Sequence, residues 1–228
     1  MAYQVDASRL TRTVVRINST VKNITADKFS ATLEELNTLN TKAEQPDFKD
    51  SLDEFLNTNT TFQEAFRYEG AFGKWCHSES YDIDRSKRIL DGLILAVGKR
   101  IDHLTAQKTA VQNKIKVHVG TLHDNNQIFS NHLCRNFEVT FNSLDEDFKY
   151  RSPQGQLSTM NNFVAKHHDN KPTKDQSAAI ATMTQYVSQL TEIDTELANL
   201  TALQLQAAQV RVDLELSWGG LFKTYLAQ

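Results

Sequence analysis

Apolar residues return along this chain at the period of a helix, and they do so in long uninterrupted runs. Tyr3, Leu10, Val14, Ile17, Val21 and Ile24 are separated by seven, four, three, four and three residues. At 100° per residue such steps confine them to one narrow stripe. Leu33, Leu36 and Leu39 continue the pattern after a phase shift, so the spacing predicts a helix over about 4–41. Phe48, Leu52, Phe55, Phe62 and Phe66 predict a second over 47–68, begun by Pro46 and Asp47.

The most regular run is Leu90, Ile94, Val97, Ile101, Leu104, Lys108, Val111, Ile115, His118 and Leu122, which alternates steps of four and three without a slip. Heptads kept this long describe a coiled-coil-like seam on a helix over 82–122. Leu93, Leu95 and Ala96 widen the stripe near its start, so several helices should wrap that end. Beyond "HDNN" the phase breaks. Phe129, Leu133, Phe137, Phe141, Leu144 and Phe148 mostly step by four and predict a helix over 127–149, with a turn or stutter near 123–126. Residues 151–174 hold two of the three prolines and read as a long connection with a short helix near Phe163. Ile180, Met183, Val187, Leu190, Ile193, Leu197, Leu200, Ala207, Val210 and Leu214 then predict a long last helix over 175–218.

A second pattern competes. "IKVHV" (115–119), "FEVTF" (137–141) and "VRVDLELSW" (210–218) alternate apolar and polar as half-buried strands do. The last also continues a helical stripe and is read as helix. The first two leave open a small antiparallel hairpin or sheet near 115–141. The expected fold is therefore mainly α: a single elongated domain over 1–228, a bundle of three long and two shorter helices, with that hairpin as the alternative.

Composition changes little. Eight Gly and three Pro suit long helices, and a net charge of −3 supplies no general attraction to nucleic acid or anionic lipid. Cys76 and Cys134 lie far apart and form no CxxC, so synthesis in a reducing cytoplasm is compatible. No apolar run reaches the 18 residues or so needed to span a bilayer, and the N-terminus lacks the apolar core of a secretory signal. The sequons at Asn18, Asn23, Asn59 and Asn199 accordingly reflect the abundance of Asn and Thr.

Candidate chemistry is sparse. His118, His123, His132 and Cys134 gather metal-ligand side chains into one stretch. In a straight helix His118 and His132 would lie about 21 Å apart along the axis, whereas zinc ligands lie about 2 Å from a shared ion. Only a chain reversal near 123–126 keeps one metal site open, and the spacing matches no standard zinc frame. No histidine follows a glutamate by three, which removes both the zincin and the di-iron patterns. "GAFGKW" (70–75) is two residues short of a phosphate loop and has Trp75 where Ser or Thr should hold magnesium. Arg9, Arg12 and Arg16 form a basic ridge opposite the first stripe, without the aromatic platform of a nucleic-acid surface. That ridge suits an antiparallel partner in the acidic second segment. His167 and His168 read as loop residues.

These patterns predict a non-enzymatic helical assembly or interaction protein without cofactor. It would self-associate, or bind a protein partner, through apolar seams: Leu90, Ile94, Val97, Ile101, Leu104, Val111, Ile115 and Leu122. The alternative is a membrane-active helical protein of the α-pore-forming kind, whose trigger would be "LDGLILAVG" (90–98). A metal-binding bundle is the lesser alternative.

Overall fold

Thr25 opens the first described helix. Its Oγ1 accepts a hydrogen bond from the backbone N–H of Lys28 at 3.4 Å, satisfying a donor that the first helical turn leaves free. The computed structural model describes residues 24–66, 77–124, 128–135, 138–144, 146–167 and 170–216. In order these form α1 (Ala26–Lys42), α2 (Phe48–Thr58), α3 (Thr60–Phe66), α4 (His77–Asp124), β1 (Ser130–Arg135), β2 (Glu138–Ser143), a short 3-10 helix (Glu146–Tyr150), α5 (Pro153–His167) and α6 (Lys174–Leu216). The chain is mainly α. Residues 4–23 of the first expected helix, with Arg9, Arg12 and Arg16, lie outside the described residues.

Contacts divide the described residues into two compact units, one up to Leu104 together with those from Glu196 onward, the other Thr105–Thr195. Both α4 and α6 contribute to each.

In the first unit the helix expected over 47–68 is broken at Asn59. The side chain of Asn59 accepts from the N–H of Phe62 at 2.7 Å, which makes it the N-cap of α3. Its amide nitrogen donates to Glu35 Oε2 at 3.0 Å, fixing the break against α1. Leu36, Leu39, Phe48, Leu52, Phe55 and Phe62 are buried here with Leu90, Leu93, Val97, Leu203 and Val210. Burying side chains of this size contributes roughly 1.5–3 kcal/mol each. The close approach of α1 to α4 depends on Gly92, where an added Cβ would stand 3.0 Å from Leu36 Cδ1. On the other flank Arg211 of α6 pairs with Asp91, and Gln204 donates to the carbonyl of Ile94 at 3.3 Å. These contacts set α4 and α6 antiparallel.

The second unit departs further from the expected elements. Residues 115–119 are helical, because α4 runs on to Asp124. The helix expected over 127–149 is replaced by an antiparallel hairpin and the 3-10 helix, with Ser130 opposite Ser143 and Arg135 opposite Glu138. The alternation from Glu138 to Phe141 in "FEVTF" thus falls in β2, while Phe137 lies outside the described residues. The connection expected over 151–174 is mostly α5. Ser152 Oγ accepts from the N–H of Gly155 at 3.2 Å and Pro153 takes the first helical position, where its missing N–H costs nothing. Phe129, Leu144, Phe148, Met160, Phe163 and Val164 pack with Val111, Ile115, Leu122 and Met183 in one cluster.

Candidate functional site

The metal candidates are divided between α4 and β1. His118 sits in α4 at a seam position, half-buried, and its Nε2 donates to the carbonyl oxygen of Ala179 in α6 at 3.2 Å. Its ring meets Tyr186 edge-on, with centroids 6.1 Å apart. These contacts hold His118 as a packing residue between two helices. His123 lies in the last turn of α4, whereas His132 and Cys134 lie in β1, in register with Phe141 and Val139. Among the described residues no three His, Cys, Asp or Glu side chains are grouped to hold a metal ion.

The long seam is spent inside the chain. Leu90, Val97, Leu104, Val111, Ile115 and Leu122 are buried, and Ile94 and Ile101 are half-buried. Leu90, Leu93, Ala96 and Val97, from the stretch nominated as a membrane trigger, belong to the core of the first unit. No described helix is long and apolar enough to cross a membrane.

Among the described residues of the first unit are two clefts. One, of about 570 Å³, runs between α1 and α2 and is lined by Glu34, Glu35, Lys42, Ser51 and Glu54. The other, of about 500 Å³, is lined by Arg85, Lys87, Arg88 and Arg211 together with Asp84 and Asp91. Its three arginines hold the fold. Arg85 donates to the carbonyl of Ile24, Arg211 pairs with Asp91, and Arg88 lies over the ring of Phe29 at 5.1 Å.

What the principal stripe conceals is a second one on the other side of the same helix. Within the second unit Ala106, Ala110, Asn113, Val117 and Gly120 step by four, three, four and three along α4. Val117 points about 150° away from the mean direction of buried Val111, Ile115, Val119 and Leu122, and is 70% exposed. None of the five is charged, although Lys108, Lys114 and Lys116 stand nearby in sequence. Among the described residues Gly120 has nothing within 4 Å of where a Cβ would be, so its lack of a side chain serves no contact with them. Searching the helix for every heptad phase, rather than the most apolar one, would have found this face. Compared with protein-family models, curated proteins and solved structures, the chain matches none.

Proposed function

We propose that this chain is a non-enzymatic helical interaction protein that assembles with copies of itself through the outer face of α4 in its second unit. The observation that carries the reading is Val117, 70% exposed among five uncharged, heptad-spaced positions. A single exposed valine is ordinary on any surface. The uncharged run around it is what a second helix would need, because small residues let two helix axes approach while nothing charged has to be desolvated. Gly120 supports the same reading: an interior helical glycine costs about 1 kcal/mol relative to alanine, and no contact among the described residues requires it. Close approach by a backbone from outside gives it a purpose.

The seam first read as the assembly surface, Leu90 to Leu122, is the internal one, and the face on its far side takes that role. Sedimentation over a range of concentrations tests this. The expected result is a mass that rises with concentration in the natural chain and stays that of one chain in Val117→Asp. A natural chain that remains one copy at the highest concentration overturns the proposal.

A further inference from the structure

Four cations, Arg85, Lys87, Arg88 and Arg211, line the cleft of about 500 Å³ in the first unit, against two carboxylates, Asp84 and Asp91. This local excess of positive charge stands in a chain whose net charge is −3. Geometry concentrates it. Arg85 and Arg88 are three residues apart on α4, where side chains are neighbours and like charges repel. Both guanidinium carbons lie over the ring of Phe29, at 5.5 and 5.1 Å from its centroid. Phe29 is buried, so one ring fixed in the core holds two cations. Arg88 is exposed, and among the described residues no carboxylate forms an ion pair with it. Arg85 donates to the carbonyl of Ile24, two residues before α1 begins, which brings its charge to the positive end of that helix. Asp27 in the first turn offsets part of that field. Ala26, the first residue of α1, lines the same cleft, and so does Ser30 a turn later.

We propose that this cleft binds a phosphate-bearing small molecule, whose phosphate is held by Arg88 and Arg85. A phosphomonoester carries about −1.5 to −2 charge at neutral pH, which matches four cations set against two carboxylates, and its three oxygens accept from several donors at once. A carboxylate or a chloride would bring only one charge to the same place. Guanidinium groups present paired N–H donors that fit phosphate oxygens, and the Ser30 hydroxyl can donate beside them. The start of α1 favours an anion through its first-turn N–H groups. An arginine already held over a ring loses less side-chain freedom when the anion arrives, so Phe29 prepares the site as well as supporting it. The volume falls within the roughly 300–1,000 Å³ of small-molecule sites, which leaves an organic group room beside the phosphate. The inference stands apart from the assembly reading, whose residues lie in the second unit.

Calorimetric titration of the full chain with glycerol 3-phosphate, at constant ionic strength, tests this. The expected result is one site per chain with a Kd at or below about 1 mM. Binding should weaken at least about tenfold in Arg88→Gln, which removes a charged donor. It should be unchanged in Lys99→Gln, which removes the same charge from an exposed position of α4 outside the cleft. The natural chain supplies a reading without any substitution: glycerol 3-phosphate should raise its melting temperature more than chloride does at equal ionic strength. Absence of both saturable heat and that rise overturns the proposal. Equal weakening in Arg88→Gln and Lys99→Gln also overturns it, because the attraction then belongs to the surface at large. So does binding to vesicles containing phosphatidate without affinity for the soluble ester, since the ligand is then a membrane.

Discussion

Arg100 and Glu196 meet through Nε and Oε1 at 2.8 Å with their side chains only 8% and 19% exposed. The guanidinium also donates through Nη1 to the carbonyls of Ala43 and Gln45, at 3.3 and 3.1 Å, and lies over the ring of Phe48 at 5.5 Å. One cation thus ties α4 to α6 and to the connection between α1 and α2. Removing the carboxylate leaves a buried charge without its counter-ion, so Glu196→Ala should destabilise the chain by roughly 3–5 kcal/mol. Replacing both partners, as Arg100→Met with Glu196→Leu, should cost less than the single change, since no charge is stranded. Denaturant unfolding of the two variants against the natural chain checks the ordering, and a double variant worse than the single would refute it.

In the second unit Gln176 closes the start of α6. Its backbone N–H donates to Thr173 Oγ1 at 3.2 Å while its side-chain oxygen accepts from the N–H of Thr173 at 3.0 Å, a reciprocal capping box. Its amide nitrogen also reaches the carbonyl of Ile128 at 2.9 Å, and the side chain is buried. Thr173→Ala should cost about 1 kcal/mol, the usual value of a lost cap. Gln176→Ala should cost about 2–3 kcal/mol, because it also leaves the Ile128 carbonyl without that donor. Equal losses in thermal unfolding would show that the bond to Ile128 carries no weight.

Ile128 and its neighbours also mark the limit of what periodicity reveals. Phe129, Leu144 and Phe148 stand out as apolar positions of one helix, and all three are buried, but a hairpin and a 3-10 helix carry them there. Burial follows from the side chain, whereas the backbone between buried residues follows from local chemistry such as the strict alternation of Glu138 to Phe141. Asn59 and Ser152-Pro153 teach the same point, since each is a helix start concealed in a stretch whose apolar spacing or proline content suggests something else. The seam of α4 was legible because its period is sustained long enough to outweigh such signals. The outer face around Val117 was not, because Ala, Asn and Gly carry little hydropathy and matter only once the inner face is occupied.

The Lys42–Asp47 pair gives the fold a small acid dependence. Lys42 Nζ donates to Asp47 Oδ2 at 2.9 Å, and this hydrogen bond holds the Asp47 carboxyl below its ordinary value. A carboxylate with a depressed folded pKa contributes stability that is fully present above the unfolded value, about 3.9, and is lost as pH falls through the folded one. Asp47→Asn should therefore lower the melting temperature at neutral pH and leave it unchanged near pH 2, below the aspartate range. Asp47 is exposed, so salt should shrink the neutral difference. A difference of the same size at both pH values would assign the effect to packing instead.

Gly92 and Gly120 lie in the same helix and should respond oppositely to a methyl group. At Gly92 the new Cβ would meet Leu36 Cδ1 at 3.0 Å, closer than ordinary van der Waals contact, against a side chain that is itself buried. The gain of about 1 kcal/mol in helix propensity is there opposed by strain. With a larger residue strain dominates, so Gly92→Val should destabilise by about 1–3 kcal/mol. At Gly120 the methyl group enters open space, and Gly120→Ala should stabilise the single chain by about 0.5–1 kcal/mol. If the outer face of α4 is an interface, the same substitution should weaken association while strengthening the fold, two effects that unfolding at low concentration and sedimentation at high concentration separate. A Gly120→Ala chain that is more stable and associates as well as the natural one would place the interface elsewhere.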